Sequence, residues 1–305
     1  MKVLIATDKP FAAVAVTGIR QVVENAGMEL VLLEKYTEKS QLLDAVKGVD
    51  AMIVRSDIVD ADVVAAANEL KIVVRAGAGY DNLDLAACTA SKVVAMNTPG
   101  QNANAVAELA IGMMIFAARN FYNGTSGTEL LGKKLGIHAY GNVGRNIARI
   151  AKGMGMEVYA FDAYVSADAI KSEGIIPVSS VEELYSTCQY VSVNIPATPE
   201  TKKSIDYALL SKMPKNAMLV NTARKEVINE AEIVKLMIDR PDFRYVSDVA
   251  PDNTAEFAEK LEGKYFFTPK KMGAQTSEAN VNAGIAAAEQ IVSFLNDGVD
   301  RFRVN

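Results

Sequence analysis

Two spacings alternate along this chain. Short, almost wholly apolar runs recur as KVLIAT, ELVLLE, AMIVRS, KIVVRAG and KVVAMN, separated by helix-spaced segments such as GIRQVVENAG and DADVVAAANEL. A second series starts near Lys133 with KLGIHAY, EVYAFD, YVSVNI, AMLVNTA, YVSDV and YFFTP. Runs apolar at consecutive positions predict strands covered on both faces, as in parallel sheets between helices. Strand and helix in alternation predict an α/β protein. Between the two series, VAELAIGMMIFAARNF predicts one long apolar helix over residues 106–121, and NGTSGTELLG after it predicts a loop. The chain closes on a second helical pattern, EANVNAGIAAAEQIVSFLND. The expectation is two Rossmann-like or flavodoxin-like parallel-sheet domains, joined by two helices, with a ligand cleft between them.

Composition narrows the choice of partners. The 305 residues are 50% hydrophobic and 23% charged, with net charge −5 and no basic run, so nucleic acid is not an expected partner. No apolar stretch reaches the ~18 residues of a membrane span, and Thr7 and Asp8 interrupt the N-terminal run too early for a secretion signal. A cytoplasmic protein is expected, without a membrane partner. Cys88 and Cys188 read as reduced, buried thiols, and no metal-ligand spacing is present.

The first chemistry lies in KLGIHAYGNVGRNIARIAKGMGMEVYAFD, a strand, loop, helix and strand in order. Its Ala139-Tyr140-Gly141-Asn142-Val143-Gly144 is a dinucleotide fingerprint with alanine in place of the first glycine. Gly141 lets the backbone approach a pyrophosphate, Gly144 lets the helix pack close, and the free N–H groups of the helix start receive negative charge. Alanine at 139 is compatible with this turn if its φ is negative. Asp162 follows Gly141 by 21 residues, where an acid bonds the adenosine ribose and repels a 2′-phosphate, so the cofactor expected is NAD. The single histidine, His138, reads as a packed strand residue.

Further motifs carry a family resemblance over nearly the whole length: VRSD at 54–57, VVRAGAGYDNLDL at 73–85, MNTPGQNANAVAELA at 96–110, IPATPETK at 195–202, VNTARKEVINE at 220–230, SDV at 247–249 and TPKKMGA at 268–274. With these the chain resembles the D-2-hydroxyacid dehydrogenase family, and within it the phosphoglycerate dehydrogenases. The resemblance implies a substrate-binding domain made of both chain ends, 1–98 plus 284–305, around an inserted NAD-binding domain, 99–283. It also implies a homodimer and leaves no residues for the regulatory domain of longer relatives. Asp248 would face the nicotinamide carboxamide, and backbone groups near Ala197 and Thr222 would face the dinucleotide. Asn102 and Glu108 match positions near the substrate and the interdomain helix.

Charge points to a phosphorylated 2-hydroxy acid. Arg55 and Arg75 each end a strand, and paired guanidinium groups bind phosphate by forked, charge-assisted hydrogen bonds. Ser56 could add a hydroxyl, and Ala76-Gly77-Ala78 a nest of backbone N–H groups for the carboxylate. In the family an arginine orients the substrate, a histidine takes the hydroxyl proton and a glutamate supports the histidine. Arg224 matches the arginine, followed by Lys225 where glycine is usual. The histidine position falls on Lys271, with Lys270 as rival, and the glutamate position falls on Asn253, beside Asp252. A lysine base needs its pKa brought down by burial and positive neighbours, and a glutamate would oppose that. Lys271 is therefore the expected acid/base.

Overall fold

A computed structural model describes residues 1–305. They form two compact units: Met1–Asn102 with Gln275–Asn305, and Ala103–Ala274.

The first unit holds β1 (Lys2–Thr7), β2 (Glu29–Glu34), β3 (Ala51–Val54), β4 (Ile72–Arg75) and β5 (Val94–Asn97), all parallel in the order β2-β1-β3-β4-β5. Consecutive residues of a strand point to opposite faces. Val3 and Ile5 accordingly join one core cluster, with Ile53, Ile72 and Val74, while Leu4 and Ala6 join another, with Met52, Val54 and Val73. That two-sided burial is why these runs carry no polar alternation. Helix Ala13–Asn25 packs on the C-terminal helix Ser277–Asp297 over one face. Because Ser277–Asp297 is one continuous helix, with Ala279 and Ala283 buried, the expected boundary at 284 moves to 275, and that at 98 moves to 102.

The second unit holds β6 (Lys134–His138), β7 (Glu157–Phe161), β8 (Ile176–Pro177), β9 (Tyr190–Val193), β10 (Met218–Asn221), β11 (Arg244–Ser247) and β12 (Tyr265–Phe267). They form one parallel sheet in the order β12-β11-β10-β9-β6-β7-β8. The chain order reverses at β6 and β9, the kind of place where strand C-termini leave a crevice for a ligand. The apolar helix spans Ala103–Ala118 and not 106–121; Ala107, Ala110, Met114 and Ala117 are fully buried in this unit's core. It stops because Asn120, Phe121 and Tyr122 take left-handed φ of 52, 55 and 54°. Arg244 reaches across from β11 to bond Ala117 O and Asn120 Oδ1, and so caps the helix end. The two-residue β8 carries too little pattern to read from sequence.

Candidate functional site

β6 runs directly into the glycine-rich turn and helix Asn142–Gly153. A Cβ on Gly144 would stand 2.4 Å from Ala139 O and 2.8 Å from Ile137 Cγ2, so the close helix–strand approach admits only glycine. The expectation for Ala139 is corrected: its φ is +77°, a left-handed conformation that a Cβ makes costly. The turn keeps the geometry that the missing glycine would have adopted freely. The first amide of the helix to find a partner within it is Arg145 N, on Gly141 O, which leaves the N–H groups of Asn142, Val143 and Gly144 for an anion.

Asp162, just past β7, grips this turn. Its Oδ2 accepts from Tyr140 N at 2.6 Å, and its Oδ1 accepts from Tyr164 N at 2.7 Å and Val165 N at 2.9 Å. Tyr140 contributes only its backbone, because the ring is buried under Arg145 and its hydroxyl donates to Glu173 at 2.9 Å. Beside the turn opens a cavity of about 830 Å³, walled in part by His138, Gly141, Asp162, Asn194 and Leu209. His138 is buried, and its ring lies edge-on to Tyr185. Burial pushes its pKa down to about 4, against a weaker upward pull from Asp162.

The neighbouring strand ends leave polar groups without partners. Thr222 Oγ1, past β10, and Asn194 Oδ1, past β9, are buried and make no hydrogen bond, as groups awaiting a ligand do. Ala197 lies half-buried in the loop after β9. These features, with the Gly144 contact, fit a dinucleotide. Asp248 follows β11 directly. It is fully buried; Oδ1 accepts from Met272 N at 2.7 Å and Thr268 Oγ1 at 3.0 Å, and Oδ2 accepts from Gly273 N at 2.8 Å. Its carboxylate holds the 268–273 loop.

That loop carries Lys270 and Lys271, both exposed. Lys271 therefore lacks the burial that a loosened proton was expected to need; it precedes Met272 and Gly273, whose amides Asp248 holds. Arg224 is exposed too, on a loop shaped by Asn221, whose Nδ2 donates to Arg224 O at 2.9 Å and whose Oδ1 accepts from Ala223 N at 3.0 Å. Lys225 pairs with Asp252, and Glu230 accepts from Asp252 N at 2.9 Å. Asp252 thus serves Lys225, while Asn253, at the family's glutamate position, donates to Glu230 O at 3.3 Å. Glu108 accepts from Asn104 on its own helix, 2.7 Å away.

In the first unit, Val54 pairs with Arg75 in register, which brings the two arginines side by side. Arg75 Nε donates to Arg55 O at 3.0 Å, and its guanidinium lies so close over Gly77 that a Cβ there would overlap it. Burial, and then the charge of Arg55, hold the Arg75 pKa below the ordinary arginine range. Arg55 donates to Lys9 O, Pro10 O and Asn280 Oδ1 at 3.1, 3.2 and 2.8 Å and lies over the Phe11 ring. No carboxylate neutralises either side chain by a salt bridge. Gly77 takes φ +148°, but the expected nest is smaller than three residues, since Ala76 N is consumed by Val54 O at 2.8 Å. Ser56 is exposed and Asn102 half-buried. Two residues here escaped the sequence reading. Asp57 is buried and accepts from Asp8 N and Tyr36 Oη at 2.7 and 2.8 Å, tying three strand ends together, and Asn280 steadies Arg55.

A parallel sheet reversing at β6 and β9, with a turn that excludes any side chain at Gly144, defines a Rossmann-class dinucleotide-binding unit. Residues 104–268 match the model of the D-isomer specific 2-hydroxyacid dehydrogenase, NAD binding domain, and the chain belongs to that family. It is 32% identical over 271 residues to the D-3-phosphoglycerate dehydrogenase of Methanocaldococcus jannaschii, covering 84% of this chain and 52% of that one. It is 33% identical over 287 residues to the hydroxypyruvate reductase of Thermotoga maritima, covering 88% and 92%. The NAD+-bound 3-phosphoglycerate dehydrogenase of Entamoeba histolytica is similar in structure at TM-score 0.84 and 46% identity, covering 100% of this chain and 98% of that one. The chain spans about half the length of the curated phosphoglycerate dehydrogenase it matches. No helix is long and apolar enough to cross a membrane.

Proposed function

We propose that this chain is an NAD-dependent dehydrogenase that oxidises D-3-phosphoglycerate to 3-phosphohydroxypyruvate, a step toward serine. The observation that carries the substrate class is the Arg55–Arg75 pair, two adjacent guanidinium groups without a carboxylate partner. Their donors suit a dianionic phosphate, and an unphosphorylated acid would leave the repulsion between the two arginines eased by the charge of Asp81 alone. The N–H groups of Gly77 and Ala78 hold the substrate carboxylate. Arg224 orients the reacting alcohol and polarises the developing carbonyl.

The helix start at Asn142–Gly144 holds the pyrophosphate, Asp162 the ribose, and Thr222 with Ala197 the dinucleotide beyond it. When bound, NAD supplies the acceptor for the hydride that leaves the alcohol carbon. Lys271, neutral at that moment, takes the hydroxyl proton as the carbonyl forms and becomes an ammonium; in the reverse direction it returns that proton. Lys270, one residue earlier on the same loop, is the rival base. A homodimer is part of the proposal, checked by sedimentation.

The test follows NADH appearance with 3-phosphoglycerate, D-lactate and D-glycerate. Turnover confined to the phosphorylated acid, lost in Arg75→Met, supports the proposal. The pH–rate profile is expected to lose its alkaline limb in Lys271→Met and keep it in Lys270→Met; a profile unchanged in Lys271→Met rejects that base. A second reading, a reductase for an unphosphorylated 2-keto acid, is supported by the full-length match to a hydroxypyruvate reductase. It predicts turnover of hydroxypyruvate that ignores both arginines. Binding of the dinucleotide without any turnover identifies a sensor that kept the fold.

A further inference from the structure

The one histidine of the chain has no part in the proposed chemistry, yet it stands in the wall of the dinucleotide cavity. Its surroundings decide which nitrogen carries the proton. His138 Nδ1 lies 3.2 Å from the hydroxyl of Tyr185, and that imidazole is the phenol's only partner. Tyr185 is fully buried, and burial pushes its pKa upward, so the O–H keeps its proton. A buried hydroxyl proton needs an acceptor, and Nδ1 is the one in reach. The ring itself is neutral at ordinary pH, because burial holds its pKa down at about 4. A neutral imidazole that accepts at Nδ1 carries its hydrogen on Nε2. Nε2 has no partner in the protein, and Phe161 and Tyr185 pack the ring at 6.4 and 5.7 Å between centroids, which fixes its direction.

A second group at the same strand ends is also unmatched. Asn194 N donates to His138 O at 2.9 Å, so the two residues are neighbours across β6 and β9. The Asn194 amide is turned by an Nδ2–H bond to Ser192 O at 3.2 Å, which leaves Oδ1 buried without a donor. Both residues wall the cavity that Asp162 shares.

We infer that His138 recognises the adenosine half of the dinucleotide, donating a hydrogen bond from Nε2–H to an acceptor on that nucleoside. This rests on the NAD-binding reading of the cavity. Tyr185 is the positioning residue, since its O–H selects the tautomer, and locking ring and proton in advance removes an ordering cost from binding. The pair is a device of this chain's own residues, separate from the glycine turn and from the acid at 162.

With one histidine, selective ¹⁵N labelling gives a single imidazole spectrum. The ligand-free protein should show the Nε2–H tautomer. Saturating ADP-ribose or AMP should shift the Nε2 signals, and nicotinamide mononucleotide should leave them in place. His138→Leu should weaken ADP-ribose binding about fivefold in calorimetry, the size of one hydrogen bond. His138→Gln, which keeps an N–H at that place, should recover most of the loss. Tyr185→Phe should mix the tautomers while a normal melting curve reports an intact fold. Unmoved imidazole signals under calorimetrically confirmed ADP-ribose binding overturn the inference and leave the NAD reading standing. Equal affinity in a normally melting His138→Leu does the same. Failure of ADP-ribose to bind the unaltered protein overturns both together.

Discussion

Two aspartates at strand ends of the same sheet do opposite work with the same carboxylate. Asp162, after β7, and Asp248, after β11, each accept backbone N–H groups from a loop: Tyr140, Tyr164 and Val165 in one case, Met272 and Gly273 in the other. Asp162 stays half-exposed in the wall of a large cavity. Asp248 is sealed, with Thr268 as its third donor. Their surroundings differ chiefly in water access: one carboxylate lines a cavity, and the other, out of water's reach, builds a loop.

The largest effect is expected from emptying the sealed site. Asp248→Ala leaves the Met272 and Gly273 amides without an acceptor, while the Thr268 hydroxyl keeps the main-chain carbonyl of residue 248 at 2.7 Å; at 1–3 kcal/mol for each unsatisfied group the loss is on the order of 4 kcal/mol. Urea unfolding should show that loss, and the Lys271 loop should become labile in hydrogen exchange. A loss below about 1 kcal/mol would mean that water replaces the carboxylate, and the contrast with Asp162 would vanish.

A third strand end, His138, sharpens the contrast through pH. Its folded pKa of about 4 lies below the free value of 6.5, so the unfolded chain takes up the proton first as pH falls. The stabilisation is complete above pH 6.5 and is lost progressively toward pH 4, up to about 3 kcal/mol. Denaturant curves at pH 7 and pH 5 should differ less in His138→Leu than in the unaltered chain. Equal pH dependence in both would show that the imidazole is hydrated.

These three strand ends also mark what the sequence could tell. Both sheets, the alternation of cores and the Gly144 approach were legible, because parallel strands write themselves as unbroken apolar runs and close packing demands glycine. The Asp162 spacing was legible as a distance along the chain. The roles of Asp57, Asp248 and Asn280 were not, since each depends on donors from segments remote in sequence: Asp8 and Tyr36 for Asp57, the 268–273 loop for Asp248, Arg55 for Asn280. The exposure of Lys271 was illegible for the same reason, because burial is a property of neighbours and not of the residue.

On the open side, Asp162→Ala should cost less stability than its sealed counterpart, about 1–2 kcal/mol, because its freed amides can reach water. Its main loss should appear in the ligand: ADP-ribose affinity should fall roughly tenfold, with discrimination against the 2′-phosphorylated dinucleotide reduced. Calorimetry with both dinucleotides reads this directly. A variant that keeps its affinity but unfolds would exchange the two aspartates' roles.

The smallest effect sits in the turn that Asp162 holds. Ala139 lies at φ +77°, where a Cβ costs about 1–2 kcal/mol relative to glycine. Ala139→Gly releases that strain but adds roughly 0.5–1 kcal/mol of backbone freedom to the unfolded chain. It also removes a methyl packed against the core formed by Val193, Leu184 and their neighbours. The strain term is the larger, so the variant should gain roughly 0.5 kcal/mol in denaturant unfolding, with ADP-ribose affinity unchanged or tighter. A loss of stability instead would show that the methyl's packing outweighs the strain, and that the alanine is there to hold the turn against its neighbours and not merely tolerated in it.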